Sequence, residues 1–153
     1  AAYLASGEPP FQAHEEVPTG AHEGPDAVIS RLVCAVEPVS PARREGLRVG
    51  IGAPGPLDHR RGVVLKAPNL PGWTNVPLRD IVAERLGCPV ALGNDANLAA
   101  LGEWRYGAGR GAQNVMYITI STGIGGGVIA DGRLLLGNAG LAGELGHMQV
   151  LSD

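Results

Sequence analysis

Apolar residues recur along the chain with the spacing of amphipathic helices in two places. After Gly24-Pro25, apolar residues three or four positions apart predict a helix that ends before Pro38. A second stripe after Pro77 predicts a helix that ends at Gly87, and a third helix is predicted over residues 96–106. The apolar positions of the first two helices are Val28, Ile29, Leu32, Val33 and Val36, and Leu78, Ile81, Val82 and Leu86.

Strands are predicted between and after these helices. Alternation of apolar and polar residues or short apolar runs predict strands at 12–17, 47–51, 63–65, 89–92 and 115–120. Asp131-Gly132 predicts a tight hairpin between strands at 128–130 and 133–136. The order is typical of an α/β chain that ends in a β-meander.

The composition restricts the class of protein. The 153 residues fit one ordinary domain, and a net charge of −3 argues against nucleic acid or an anionic membrane as a partner. No run approaches the ~20 apolar residues of a membrane span, and the first residues lack the basic segment of a signal peptide. Cys34 and Cys88 have no CxxC spacing, so we expect a cytoplasmic protein with two free thiols, although a disulfide stays open.

The glycine-rich stretch STGIGGG, at residues 121–127, offers the first candidate chemistry. It follows one predicted strand and precedes another, so we expect a tight turn whose backbone N–H groups converge. A phosphate fits such a turn, with the hydroxyls of Ser121 and Thr122 as further donors. The alternative is that the glycines serve only close packing of strands.

Two further pairs of polar residues are candidates. Asn94-Asp95 stands where a buried strand ends and a helix begins, so an ionised Asp95 could accept a proton from a substrate hydroxyl, or could simply cap the helix. Glu144 and His147, three positions apart, could bind hydroxyls or a metal, or form a surface pair. Glycines at 107–111 indicate a boundary or hinge.

Six segments in a fixed order resemble the ROK family of sugar kinases and sugar-responsive repressors, and bacterial glucokinases above all. They are GIGAPGPLD (50–58), APNLPGW (67–73), GNDANLAALGEW (93–104), GAGRG (107–111), STGIGGG (121–127) and AGELGH (142–147). The resemblance implies the actin/hexokinase-like fold of two RNase-H-like domains. It places an N-terminal α/β sugar-kinase domain at 1–106 and the start of a C-terminal domain that binds ATP and sugar at 107–153.

The resemblance also implies roles for single residues. Asp95 corresponds to the base that takes the proton from the sugar 6-hydroxyl, and it contacts the sugar together with Asn69, Asn94, Glu144 and His147. The residues that correspond to the phosphate loop for ATP are Thr122, Gly123, Ile124, Gly125, Gly126 and Gly127. His147 further matches a histidine that ligates a structural zinc.

The implied activity is phosphorylation of an aldohexose, glucose above all, with ATP and Mg²⁺. The family's DxGGT and CxCGxxGC segments are absent, so we expect about half of a kinase, inactive by itself. The full protein is expected to be a cytoplasmic homodimer with zinc. The alternatives are a sugar-responsive repressor, a kinase for N-acetylmannosamine, fructose or allose, and polyphosphate as the phosphoryl donor.

Overall fold

The computed structural model describes residues 2–6, 8–40 and 46–148. Its helices are α1 (Pro25–Val36), α2 (Leu78–Leu86) and α3 (Asp95–Tyr106), with 3₁₀ turns at Ala21–Glu23 and Leu145–His147. Its strands are β1 (Ala2–Ser6), β2 (Glu8–Glu15), β3 (Val49–Ala53), β4 (Leu57–Asp58), β5 (Val63–Lys66), β6 (Thr74–Val76), β7 (Val90–Asn94), β8 (Val115–Ile120), β9 (Ile124–Ala130) and β10 (Arg133–Leu134). The chain divides into two compact units, Ala1–Leu92 and Gly93–Asp153.

The first unit holds the main apolar core. Strands β1 and β2 form a hairpin, β3 pairs with β7, and β4, β5 and β6 form a three-stranded sheet. The predicted stripes of α1 and α2 are confirmed, because Ile29, Leu78 and Val82 are among the most deeply buried side chains. Gly87 ends α2 in the left-handed conformation, at φ 65°, as its position in the sequence predicted.

The second unit is a three-stranded antiparallel sheet, in the order β10-β9-β8, with α3 packed against β8 and β9. The predicted hairpin at Asp131-Gly132 is confirmed, since both residues have positive φ, 50° and 71°, as a tight two-residue turn requires. Along β8, exposed Met116, Ile118 and Ile120 alternate with half-buried residues.

The structure differs from the predicted elements mainly in short strands. β4 and β6, of two and three residues, were not predicted, because such short pairings leave no periodic pattern. The weak strand expected at 12–17 lies earlier, in β2. The compact units divide after Leu92, whereas the domain boundary expected after residue 106 stays a prediction.

The largest difference concerns the glycine-rich stretch. β9 begins at Ile124, so Gly125, Gly126 and Gly127 lie in a strand that pairs with Thr119, Ile118 and Tyr117, rather than in the predicted turn. Only residues 121–123 connect the two strands. A run of glycines is typical of turns, and here it is extended because it pairs with β8 and packs closely against its neighbours, as described below.

Within the part of the chain that the structure describes, no helix has both the length and the apolar character needed to cross a membrane.

Candidate functional site

The start of α3 positions the most prominent polar pair. Asn94, the last residue of β7, caps the helix: its Oδ1 accepts a hydrogen bond from the backbone N–H of Asn97 at 3.1 Å. The sequence had left open that Asp95 caps the helix, and the structure assigns that role to Asn94. Because the cap uses Oδ1, the Nδ2 group of Asn94 is left as a donor for another partner.

Asp95 is the first residue of α3 and is exposed. Its Oδ1 accepts a hydrogen bond from the N–H of Ala96 at 2.9 Å. Asp95 therefore presents a charged, accessible acceptor at the carboxyl end of a strand.

The glycines of β9 let α3 approach the sheet closely. A Cβ atom built on Gly127 would lie 2.6 Å from the Cβ of Ala100 and 3.1 Å from the Cα of Asn97, so no larger residue fits. A Cβ on Gly125 would lie 3.5 Å from the Cβ of Ala96, the residue after Asp95. The glycine strand and the Asp95 end of α3 are therefore direct neighbours within the second unit.

The connection between β8 and β9 is an exposed turn at residues 121–123. The N–H of Ser121 donates to the carbonyl of Gly123 at 2.9 Å, which closes the turn. Ser121, Thr122 and Gly123 are all exposed, and a Cβ on Gly123 would meet nothing within 4 Å. The turn thus presents two hydroxyls and an uncrowded glycine to solvent.

The segment 142–147 lies against the same strand. A Cβ on Gly143 would lie 3.1 Å from the carbonyl oxygen of Gly126, and one on Gly146 would collide with the carbonyl oxygen of Ile124. Gly143 also has φ 98°, which disfavours any side chain. The two glycines that flank Glu144 and Leu145 are therefore needed for close contact with β9.

Glu144 and His147 form the pair that their spacing predicted. His147 Nδ1 lies 3.6 Å from Glu144 Oε2, which is too long for a hydrogen bond, and the side chains are 84% and 40% exposed. An exposed pair of this kind contributes little to stability. Both side chains are accessible to a ligand.

Asn69 belongs to the first unit, where the loop Ala67–Trp73 folds back on itself. The N–H of Ala67 donates to the carbonyl of Trp73 at 3.1 Å, and the N–H of Leu70 donates to the carbonyl of Ala67 at 3.0 Å. Asn69 is exposed within this closed loop.

Metal-ligating side chains are not gathered in the described residues: no three His, Cys, Asp or Glu residues lie together as a metal site requires. A structural zinc needs four ligands, and His147 and Glu144 supply two at most. The described residues therefore do not form a zinc site by themselves. Both cysteines are free thiols.

The sequence did not single out Asn97, which the structure shows to be unusual. Asn97 is 5% exposed, the buried polar residue of α3, and its Oδ1 has no hydrogen-bond partner among the described residues. The sequence feature that could have indicated Asn97 is its position three residues after Asn94, on the helix face that also carries Ala100. A polar residue between Ala96 and Leu98 does not reveal which face of the helix is buried.

The fold and site together define a mixed α/β protein with a cluster of polar residues where a strand meets a helix beneath a glycine-rich strand. The chain belongs to the ROK family, whose model matches residues 2–153. The predicted actin/hexokinase-like fold is confirmed by its similarity to ROK hexokinases of known structure.

Two solved structures and one curated relative illustrate the similarity. A ROK hexokinase from Thermus thermophilus is 48% identical with a TM-score of 0.75, over 88% of this chain and 45% of that one. A ROK glucokinase from Streptomyces griseus, in complex with glucose and AMPPNP, is 40% identical with a TM-score of 0.81, over 93% of this chain and 44% of that one. A glucokinase from Thermotoga maritima is 47% identical over 127 residues, 83% of this chain and 40% of its own length.

Other relatives carry other names. A xylose repressor from Caldicellulosiruptor bescii is 44% identical over 104 residues, 68% of this chain and 26% of its own length. An N-acetylmannosamine kinase from Citrobacter koseri is 38% identical over 137 residues, 90% of this chain and 46% of its own length. The chain thus spans less than half the length of each of these relatives.

Proposed function

We propose that the full-length protein carrying this chain transfers the γ-phosphoryl group of ATP to the 6-hydroxyl of an aldohexose, with glucose as the preferred sugar. In this reaction the sugar O6 forms a bond to the γ-phosphorus, and the bond from that phosphorus to the bridging oxygen breaks, so that ADP leaves with the electron pair. The O6 proton passes to the carboxylate of Asp95. Glucose is proposed first because glucokinases of two organisms are among the similar proteins, one of them in complex with glucose and AMPPNP.

One observation carries this proposal: the Asp95 end of α3 lies directly against the glycine strand. Ala96, next to Asp95, lies beneath Gly125, which follows the exposed turn at 121–123 by two residues. Phosphoryl transfer depends on positioning and charge neutralisation, so an acceptor for the proton must stand close to the groups that hold the phosphates. Such an arrangement fits a weak base, since the proton moves late in a loose transition state.

The sugar is proposed to bind through hydroxyl contacts. The Nδ2 group of Asn94 would donate to one hydroxyl, Glu144 would accept from others, and His147 and Asn69 would complete the set. The exposure of Glu144 and His147 and the capping bond of Asn94 are compatible with these roles. A site built of these hydrogen-bonding side chains rejects sugars that lack the matching hydroxyls, because the side chains would then have no hydrogen-bond partner.

ATP is proposed to contact residues 122–127 at the β8–β9 connection. The hydroxyl of Thr122 and the backbone of Gly123 are the exposed groups that would contact phosphate oxygens. The first residues of β9 hold the turn in place, because their glycines permit close contacts with α3 and segment 142–147. These residues are Ile124, Gly125, Gly126 and Gly127.

Mg²⁺ would supply charge neutralisation on the ATP phosphates, and a structural zinc would use His147 as one ligand. The described residues gather no ligand set for either ion, so neither ion enters the steps above. A cytoplasmic location, a homodimer and a domain boundary after residue 106 are further parts of the proposal.

The decisive experiment replaces Asp95 by Asn in the full-length protein. Asp95→Asn keeps the size of the side chain but removes the proton acceptor, so turnover in a coupled ADP-release assay should fall by about 10²-fold or more, while the Kd for glucose stays within about twofold. Asp131→Asn is the matched control: it makes the same chemical change at an exposed turn. Near-normal turnover of Asp95→Asn would reject the assignment.

The same assay on a hexose panel separates the alternatives. A kinase for N-acetylmannosamine, fructose or allose would show its highest kcat/KM on that sugar. The repressor alternative has specific support in the similarity to a xylose repressor. A full-length protein that binds sugar but releases no ADP with any hexose would favour the repressor.

A further inference from the structure

Asn97 lies where three of the sequence motifs meet. Its own motif, GNDANLAALGEW, carries Asp95. A Cβ on Gly127, in STGIGGG, would lie 3.1 Å from Asn97 Oδ1, and a Cβ on Gly143, in AGELGH, would lie 3.5 Å from the same atom. The side-chain oxygen is therefore enclosed by the helix, the glycine strand and the turn that precedes Glu144.

That oxygen is also unsatisfied among the described residues. Asn97 is 95% buried, as its 5% exposure shows, and Oδ1 has no hydrogen-bond partner. A buried carbonyl oxygen without a partner is costly, and such groups are rare in folded proteins. An apolar residue of the same size would avoid this cost. Packing alone therefore does not explain why this position holds an amide.

We infer that Asn97 is a positioning residue for the sugar site. The backbone N–H groups of Ala142 and Glu144 already donate to the carbonyls of Leu136 and Leu141, at 3.1 and 3.3 Å. The Oδ1 of Asn97 therefore accepts a hydrogen bond from the backbone N–H of Gly143 when the sugar is bound, and this bond fixes the neighbouring Glu144 relative to Asp95. The inference rests on the proposed function, since it assigns Glu144 and Asp95 to one sugar. The glycine at 143 leaves room for the backbone to approach the amide, because a side chain there would have to fit between Gly126 and Asn97.

The first test uses the unmodified full-length protein. Hydrogen–deuterium exchange is followed at the amides of residues 142–144 with and without glucose. Glucose should slow exchange at the amide of Gly143 by about fivefold or more, the effect of one additional hydrogen bond. The absence of glucose-dependent slowing would overturn the inference, and this test does not depend on the folding of any variant.

The second test compares Asn97→Ala with Ala100→Gly. Both changes remove atoms from the buried face of α3 toward Gly127, but only the first removes the amide. Asn97→Ala should raise the Kd and KM for glucose by about fivefold, leave kcat within about twofold, and abolish the glucose-dependent slowing at 142–144. Ala100→Gly should leave the Kd for glucose unchanged.

The outcomes separate this inference from the proposed function. If the unmodified protein binds no hexose, both fail. If it binds glucose, and Asn97→Ala binds glucose as tightly or loses affinity only as much as Ala100→Gly, the positioning role alone is overturned.

Discussion

At the scale of single residues, the glycines of β9 have a structural reason that their number alone did not reveal. Gly125 and Gly127 face α3, and Gly126 faces Leu145 on the other side of the strand. A side chain at Gly126 or Gly127 would collide with a neighbouring atom, and one at Gly125 would be tightly packed against Thr119. The glycine-rich segment at 121–127 therefore allows close packing of β9, and it is also a candidate for phosphate binding.

Gly127→Ala should destabilise the second unit. The new Cβ would lie 2.6 Å from the Cβ of Ala100, and overpacking of this kind costs about 1–3 kcal/mol. The change should appear as a lower midpoint of thermal unfolding of the full-length protein. Ala100→Gly should restore part of the loss when combined with Gly127→Ala, because it removes the atom that collides.

The control for this pair is Gly102→Ala, on α3, where a Cβ would meet nothing within 4 Å. It should stabilise the helix by about 1 kcal/mol, since alanine is the better helix former. A Gly127→Ala protein as stable as the unmodified one would contradict the packing described here.

Asp58 makes stability depend on pH in a defined direction. Hydrogen bonds from the backbone N–H groups of Arg61 and Arg60, at 3.0 and 3.1 Å, hold the pKa of Asp58 below its usual range. Because the folded pKa is depressed, the stabilisation is complete above about pH 4 and is lost as the pH falls through the folded value. Asp58→Ala should therefore lower the unfolding midpoint at pH 7 but not at the most acidic pH at which the protein stays folded.

The control is Glu84→Ala, which removes an exposed carboxylate on α2. The difference between its unfolding midpoint and that of the unmodified protein should not shrink toward acidic pH. A difference between Asp58→Ala and the unmodified protein that is constant from pH 7 to acidic pH would contradict the role of this turn.

At the scale of elements, the sequence predicted helices better than strands. α1 and α2 each bury one stripe of large aliphatic side chains, which is a local and periodic signal. β4 and β6 exist through pairing with β5, and the glycines of β9 pair with β8 and pack closely against α3 and segment 142–147. These are non-local contacts, which no periodicity within the element records.

The glycines at 107–111 illustrate the same limit. They were expected to form a boundary or hinge, which stays a prediction. The structure shows that hydrogen bonds hold this turn against the end of α3. The carbonyl of Glu103 accepts from Gly107 and Gly109, both at 3.0 Å, and its carboxylate accepts from the N–H of Ala108 at 3.0 Å. Trp104 Nε1 donates to the carbonyl of Ala112 at 2.8 Å.

Glu103→Ala should loosen this turn without unfolding the unit. Loss of one exposed hydrogen bond, worth about 1 kcal/mol, should speed amide exchange at Ala108 by roughly fivefold, while Glu103→Gln, which keeps an acceptor, should change it less. Exchange at Ala108 that is equally slow in all three proteins would show that the carboxylate does not hold the turn.

At the scale of the whole molecule, the candidate site was predicted in part. The motifs placed Asn94, Asp95, Glu144 and the glycine strand in one family pattern, and within the second unit the structure brings the Asp95 end of α3 and segment 142–147 against β9. The buried amide of Asn97 was missed, because it is enclosed by three segments that are distant from one another in the sequence. Asn69 lies in the first unit, in a loop closed by its own hydrogen bonds.

The 153-residue chain alone should not phosphorylate glucose, whereas the full-length protein should. The chain matches only 40% of the Thermotoga maritima glucokinase and 44% of the Streptomyces griseus glucokinase, so residues outside it account for more than half of each relative. Phosphoryl transfer depends on groups placed around both reactants, and half of such a set gives little rate enhancement. The measurement is glucose 6-phosphate formation by the purified chain and by the full-length protein at equal concentration, with Asp95→Asn in each. Formation by the chain alone at a rate near that of the full-length protein, and its loss in Asp95→Asn, would show that these residues hold the complete catalytic machinery.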